Sequence, residues 1–479
     1  MKKIVDQLDP IFQPESIAVI GASNAPGKWG ARMLNHPLRT GYRGAVYPVN
    51  PREKKIQNIR TYASVLDTPG PVDLAVITVP AGQVSVVMKE CIQKGVKGAI
   101  VVSAGFAEVG PEGKVLEDEV VAIAREGGIR FIGPNCMGIW SAAGMLSLSF
   151  EKAPLPGHIA FVSQSGTFGG VLSEIAVTKG YGLSKFISIG NQGDLCAADY
   201  LEYLAEDEDT KVILFYMEGF KDGLRFFDLA KEVIKKKPIV IYKAGRSAPG
   251  ERATQSHTAS IAGSDKIFDA ICRQIGIIRP QETVQSFDLA EVLAHQPLPK
   301  GKRVAILGSG GQGVVTADAC ASLGLEVPEL DSDTVRSLQE SMPSHAPIPR
   351  NPVDFADSAR TSMEEASVVE KLMSRDYIDG VISNAPFNTA AMSTILGVVG
   401  MPKHLVDVTK LAIQGAEYLA SLPAIYNKPL ITLRFHRFEN DIVLDILKGA
   451  GIPVYDTPEE CARAMHALVR YAETKKRYE

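Results

Sequence analysis

Five short runs rich in β-branched residues fill the first 148 residues of the chain, and each closes on a loop of small residues. They are Ser16–Ile20, Ala45–Val49, Leu74–Val79, Ala99–Val102 and Arg130–Ile132. Amphipathic stretches such as Gln83–Lys94 and Gly113–Glu126 lie between them. Alternation at this spacing reads as a parallel sheet with crossover helices. The pattern returns in a second region, with runs at Ile159–Val162, Lys211–Met217 and Pro238–Tyr242. It returns again in a third, with Val304–Leu307, Gly380–Ser383, Leu430–Leu433 and Pro453–Tyr455. Pro297-Leu298-Pro299-Lys300-Gly301 reads as the linker before that third region. The fold class is therefore α/β, repeated, and a chain of 479 residues has room for about three such domains.

Composition narrows the function classes. The 45% hydrophobic and 22% charged fractions are those of an ordinary globular protein. A net charge of −4 offers no footprint for nucleic acid or an anionic membrane. No apolar run is long enough to span a bilayer. The N-terminus, MKKIVDQLDPIF, starts basic but lacks an apolar signal core, so a cytoplasmic protein is expected. The 6 cysteines are scattered without a C-x-x-C pair, which suits a reducing compartment and argues against a structural zinc site. No metal ligand set is expected.

In open α/β sheets, ligands bind beyond the carboxyl ends of the strands, so the loops there carry the argument. In the first region the first run ends in Gly21-Ala22-Ser23, with Gly27-Lys28-Trp29-Gly30 close behind. This is a glycine-bearing turn before a helix, the usual seat of a phosphate, although it is not G-x-G-x-x-G. The second run ends Val49-Asn50-Pro51-Arg52 with no acidic residue, and Arg52 suits a phosphate better than a ribose diol. Ser103-Ala104-Gly105 follows the fourth run and Gly133-Pro134-Asn135-Cys136 the fifth. Gly and Pro punctuate any α/β domain, but so many small loops on one edge suggest a nucleotide-like ligand.

The second region adds reactive groups. Ser163-Gln164-Ser165-Gly166-Thr167 lies between a strand and a helix, where free N–H groups and the helix dipole make an anion site. Ordinary helix capping by serine is the plain alternative. The strand Lys211–Met217 ends in Glu218-Gly219, and a carboxylate there can hold the Nδ1–H of an imidazole, leaving Nε2 nucleophilic. The stretch Lys243 to Asp265, rich in Gly, Ser, Ala and Thr, is expected to be a loop, and it carries His257 between Ser256 and Thr258. A surface histidine on a loop and a solvated carboxylate are the bland readings of these two. Successive strands tend to be neighbours, which would bring anion site, carboxylate and imidazole to one edge.

In the third region Gly308-Ser309-Gly310-Gly311-Gln312-Gly313 is a literal G-x-G-x-x-G. The acidic residues downstream, Glu326 and Glu329, fit a ribose poorly, so a bare phosphate or carboxylate is favoured over a dinucleotide. The segment Asn388–Gln414 is expected to pack as helices, and the tail Glu459 to Glu479 to form an amphipathic covering helix.

With these pieces in place, the chain resembles the α subunits of ADP-forming acetate–CoA ligases, in the NDP-forming acyl-CoA synthetase superfamily that includes succinyl-CoA synthetase. The resemblance spans nearly the whole chain and rests on SIAVIGAS (Ser16–Ser23), YPVNP (Tyr47–Pro51), SAGFAEVG (Ser103–Gly110), GPNCMG (Gly133–Gly138), VSQSG (Val162–Gly166), YMEG (Tyr216–Gly219), SHTASIAGSD (Ser256–Asp265) and NPVD (Asn351–Asp354). It implies a Rossmann-like CoA-binding domain over 1–148, a phosphohistidine-bearing flavodoxin-like domain over 149–298 and a flavodoxin-like ligase domain over 299–479. It implies CoA contacts at Gly21, Ala22, Ser23, Val49, Asn50, Arg52, Val79, Pro80, Ser103, Ala104, Gly105 and Asn135. It implies His257 as the phosphorylated residue, Glu218 as the carboxylate that orients its ring, and Ser163, Ser165 and Gly166 at the phosphate-stabilising helix start. In the family, acyl-CoA and phosphate give an acyl phosphate and CoA, the histidine takes the phosphoryl group, and an ATP-grasp domain passes it to ADP with Mg²⁺. No ATP-grasp segment occurs in this chain, so a separate ATP-grasp β subunit in an α2β2 assembly is implied. The family's usual Asn-Ala-Gly-Gly-Pro-Gly turn reads Gly308–Gly313 here, without the asparagine. Two other classes stay open at this point: a CoA-binding scaffold without turnover, and an NAD-dependent oxidoreductase using Gly308–Gly313.

Overall fold

The structure is a computed structural model that describes residues 3–258, 264–342, 344, 346–355, 362–384, 408–434 and 441–479. The chain divides into two compact units, Met1–Phe287 and Asp288–Glu479. The first unit contains two large sheets and a small two-stranded one. Strands β1 (Ser16–Ile20), β2 (Ala45–Val49), β5 (Leu74–Ile77), β6 (Gly98–Val101) and β7 (Arg130–Ile132) form a parallel sheet in the order β2-β1-β5-β6-β7. A two-stranded antiparallel ribbon, β3 (Lys55–Ile56) with β4 (Ile59–Arg60), stands apart from it. Helices Trp29–Thr40, Ala81–Lys94 and Pro111–Glu126 form the crossovers. β1, β5 and β6 are buried along their whole length, as strands covered on both faces must be, which is why they read as unbroken apolar runs. Ala18, Ile20, Ile77, Val101, Phe106 and Phe131 belong to one core.

The second sheet is formed by β8 (Ile139–Ser141), β9 (Leu146–Ser147), β10 (Pro156–Ser163), β11 (Leu183–Ser188), β12 (Val212–Met217) and β13 (Ile239–Lys243), in the order β13-β12-β10-β11-β8-β9. β10 to β13 are parallel, whereas β8 is added antiparallel to β11, and β9 antiparallel to β8. β8 and β9 precede residue 149, yet their hydrogen bonds belong to this second sheet.

The expected loop from Lys243 to Asp265 is corrected: Ala248–Thr258 is a helix, and His257 lies in its last turn. Small polar composition concealed good local helix chemistry. Ser247 accepts from Gly250 N through its hydroxyl and from Glu251 N through its carbonyl. Pro249 sits in the first turn, where a missing N–H costs nothing, and Glu251, Arg252 and Ala253 favour helix. The side chain of His257 and residues 259–263 lie outside the described residues.

The second unit contains a third parallel sheet, β14 (Val304–Gly308), β15 (Val353–Asp354), β16 (Gly380–Asn384), β17 (Leu430–Leu433) and β18 (Val454–Tyr455), in the order β15-β14-β16-β17-β18. The tail forms the helix Pro458–Tyr478, started by a capping box between Thr457 and Glu460. It buries Cys461, Met465 and Leu468 and packs against β17 and the helix Gly311–Ser322, the covering role expected of it. Residues 388–407 of the segment expected to be helical lie outside the described residues, and the helix Val408–Tyr426 follows them. No helix among the described residues is long and apolar enough to cross a membrane.

Candidate functional site

The order of each sheet fixes where its crevice lies. In the first, the chain leaves β1 toward β2 on one side and toward β5 on the other, so the switch point falls between β1 and β5. Ile20 is registered with Val49 on one side and Ile77 on the other, and Ile77 with Val101. The loops expected to take CoA therefore leave from one edge, and hydrogen bonds stitch them together. Gly21 N donates to Val49 O at 3.0 Å, and the Asn50 side-chain amide donates to Ala22 O at 2.8 Å. Thr78 donates to Ile20 O through both its N–H and its hydroxyl, each at 2.9 Å. Ser103 donates its hydroxyl to Val79 O, and Asn135 N donates to Ser103 O at 2.9 Å. Ser23, Pro80, Ala104, Gly105 and Asn135 keep accessible surface beside this seam, and Arg52 is exposed with its N–H held by the Asn50 side chain.

Gly21 and Gly30 make the first turn possible. Gly21 has φ +90°, a left-handed conformation that an L side chain rarely adopts. A Cβ on Gly30 would lie 2.0 Å from the Gly21 carbonyl oxygen, so the helix Trp29–Thr40 approaches the turn through a bare backbone. That close approach presents the helix N-terminus to the crevice.

The second sheet switches at β10, whose neighbours β11 and β12 lie on opposite sides. Ser163 is registered with Tyr216, and Met217 with Lys243, so Ser165, Glu218 and the segment leading to His257 leave from one edge of three adjacent strands. Ser165 caps the helix Gly166–Lys179 by accepting from Phe168 N. Gly166 is needed because a Cβ there would lie 2.7 Å from Met137 and 3.1 Å from the Ser188 hydroxyl. Ser163 is fully buried and donates its hydroxyl to Ser165 O at 2.7 Å, so it shapes the turn from beneath. Glu218 is buried, and Gln164 accepts from both Glu218 N and Gly219 N through one oxygen, at 2.8 and 3.0 Å. Burial, then the charge of Glu218, pushes the Tyr216 hydroxyl's pKa up. Burial pushes the Lys243 ammonium's pKa down.

Residues that the sequence reading passed over join the two edges. The loop after β11 brings Asn191 to Pro134 O through its N–H at 2.9 Å, and its side-chain amide donates to both Glu108 and Glu117. Glu108 in turn accepts from Gly105 N and Phe106 N, while Lys221 donates to Glu117 at 3.3 Å. Burial alone would raise the Glu108 carboxyl's pKa, but these donors outweigh it and hold it below the usual carboxylate range. The chain thus ties the Ser103–Gly105 loop to the segment that follows Glu218. The only sequence signal for it was the position of Glu108 inside SAGFAEVG.

In the second unit the Gly308–Gly313 turn follows β14 and opens the helix Gly311–Ser322. Gly310 N donates to Asp354 Oδ1 at 3.2 Å, so a carboxylate already occupies a donor of the turn. Asn351 bonds both Ile306 N and Val304 O, filling the β14 ladder with a side chain, which accounts for the Asn and Asp of NPVD. The backbone of Glu326 forms a parallel β-bridge with Arg303 just before β14, the end opposite the turn. It therefore lies away from any ribose seated there, and the dinucleotide reading lacks its acidic partner.

Residues 15–142 match the CoA binding domain family, and residues 156–293 match the succinyl-CoA ligase like flavodoxin domain family. The α subunit of acetate–CoA ligase (ADP-forming) II of Pyrococcus furiosus is 40% identical over 97% of this chain and 98% of its own length. This chain belongs to the ADP-forming acetate–CoA ligase family. The acetate–CoA ligase (ADP-forming) of Methanocaldococcus jannaschii is 36% identical over 97% of this chain, which spans 63% of that longer protein. Among solved structures, dinucleotide forming acetyl-coenzyme A synthetase 1 of Ca. Korarchaeum cryptofilum, in complex with phosphate and ADP, aligns with TM-score 0.84 and 32% identity over 98% of this chain and 97% of that one. Family membership makes the chain an acid–thiol ligase polypeptide with a CoA-binding domain.

Proposed function

We propose that this chain is the α subunit of an ADP-forming acyl-CoA synthetase, cytoplasmic, with its ATP-grasp β subunit on a separate polypeptide in an α2β2 assembly. Three working domains follow: CoA binding over 1–148, phosphohistidine chemistry over 149–298 and a ligase domain over 299–479. CoA lies against the stitched edge of the first sheet, its phosphates toward the Gly21–Ser23 turn and Arg52. A phosphate oxygen attacks the thioester carbonyl, and the CoA thiolate leaves, giving acyl phosphate. Nε2 of His257 then attacks phosphorus, and the carboxylate leaves. Donors at Ser165, Gly166 and Thr167 neutralise the transferred group without a cation that would trap it, and Ser163 holds their turn. Glu218 accepts from Nδ1–H and keeps Nε2 the nucleophile.

The observation that carries this reading is the common edge: the Ser165-capped helix start, Glu218 and the strand leading to His257 leave from the adjacent strands β10, β12 and β13. The partner is inferred from relatives that bear the name subunit alpha and match this chain end to end. Among the described residues no group of three or more His, Cys, Asp and Glu gathers as a metal site. Mg²⁺ and the adenine nucleotide are assigned to the partner.

The test is phosphoryl labelling. The wild-type chain incubated with ³²P-acetyl phosphate should acquire one acid-labile label, and His257→Ala should acquire none. Full labelling of His257→Ala sinks the mechanism. Tight CoA binding with no label on the wild type would make the chain a scaffold.

A further inference from the structure

Gln164 lies inside VSQSG, between the two serines, and is almost fully buried. Its backbone N–H extends the β10 ladder to Tyr216 O at 3.0 Å. Its side-chain oxygen accepts from two consecutive backbone N–H groups, Glu218 N at 2.8 Å and Gly219 N at 3.0 Å. Consecutive N–H groups of an extended strand point to opposite sides, so their convergence means that the chain bends just where β12 ends. Such a pair forms a small anion-attracting hollow. Gln164 fills that hollow with a neutral acceptor and fixes the bend from which the Glu218 side chain departs.

We infer that Gln164 is a positioning residue that aims the Glu218 carboxylate, coupling the phosphate turn of β10 to the end of β12. The inference rests on the proposed role of Glu218 and His257. A neutral acceptor suits this place because a carboxylate would set a second negative charge between Glu218 and the incoming phosphate. Without an acceptor, two buried donors are left unmet and the bend relaxes.

The experiment measures single-turnover labelling of the full chain by ³²P-acetyl phosphate. Gln164→Met keeps the volume and removes the acceptor, and the labelling rate should fall about ten- to a hundredfold, the scale of a displaced catalytic group. In a Glu218→Gln background the same substitution should cost less than about threefold, because both changes disable one device. Gln164→Glu preserves both bonds and serves if Gln164→Met does not fold. Its added charge favours the imidazolium, so its rate–pH profile should move to higher pH. A Gln164→Met rate within twofold of wild type, a loss that multiplies fully with Glu218→Gln, or an unshifted Gln164→Glu profile each overturns the inference. Absence of label on the wild type would instead overturn the underlying phosphohistidine reading.

Discussion

Replacing Gly30 with alanine tests whether the CoA edge is built by backbone approach. The new Cβ would sit 2.0 Å from the Gly21 carbonyl oxygen and 2.8 Å from its carbon, against an ordinary contact beginning near 3.4 Å. The shortfall of about 1.4 Å meets main chain, which has no rotamer to yield. Overpacking of this kind costs about 3 kcal/mol, at the upper end of its usual range. Alanine returns at most about 1 kcal/mol of helix propensity. The expected net loss is about 2 kcal/mol, read as a lower urea midpoint. Relief requires the helix or the Gly21–Ser23 turn to move by about an ångström, so CoA affinity should fall by at least about tenfold in calorimetric titration. Gly27→Ala is the control, since a Cβ there meets nothing within 4 Å. If Gly30→Ala binds CoA as tightly as wild type, or Gly27→Ala is equally damaged, the packing argument is wrong.

Two further outcomes are expected. The Asp194 carboxylate, 1% exposed, accepts from Arg130 Nε at 2.7 Å, Arg125 Nε at 3.1 Å and Phe131 N at 3.1 Å. Asp194→Ala leaves the buried Phe131 N–H unmet and frees two arginines that solvent or other partners can reach, so it should cost about 2 kcal/mol in urea unfolding, and a loss under about 0.5 kcal/mol would refute it. Burial pushes the Glu291 carboxyl up from its ordinary 4.5 to about 7, with the Asp288 charge adding to the rise and Lys448 opposing it. The folded state then holds a proton that the unfolded state has released, so stability falls as pH rises from about 4.5 to 7, by up to roughly 3 kcal/mol. Glu291→Gln should flatten that slope between pH 5 and 8, and an unchanged slope would rule Glu291 out as its source.

The first sheet was legible to within a residue or two because strands buried on both faces must be apolar throughout, as at Leu74–Ile77. The loops beyond the strands were legible from Gly, Ser and Pro alone. What the sequence concealed were partners far apart in the chain. Gln164 reaches Glu218 across 54 positions and Asn351 reaches Ile306 across 45, and nothing local marks either side chain as a filler of backbone donors. The helix Ala248–Thr258 is hidden for the opposite reason: its signals are local, and the Gly, Ser and Thr of the longer stretch around it mask them. Gly308–Gly313 shows that a motif can be literal while its expected acidic partner sits at the wrong end of the strand.

The antiparallel pair β8 and β9 carries a lesson for anyone dissecting the molecule. A cut after residue 148 would deliver the CoA-binding portion with two orphan strands and leave β11 with an unzipped margin, ready to recruit a strange strand. The first 287 residues are in that sense a single cassette, and gene fission or fusion in this family is expected to spare the seam between its two large sheets.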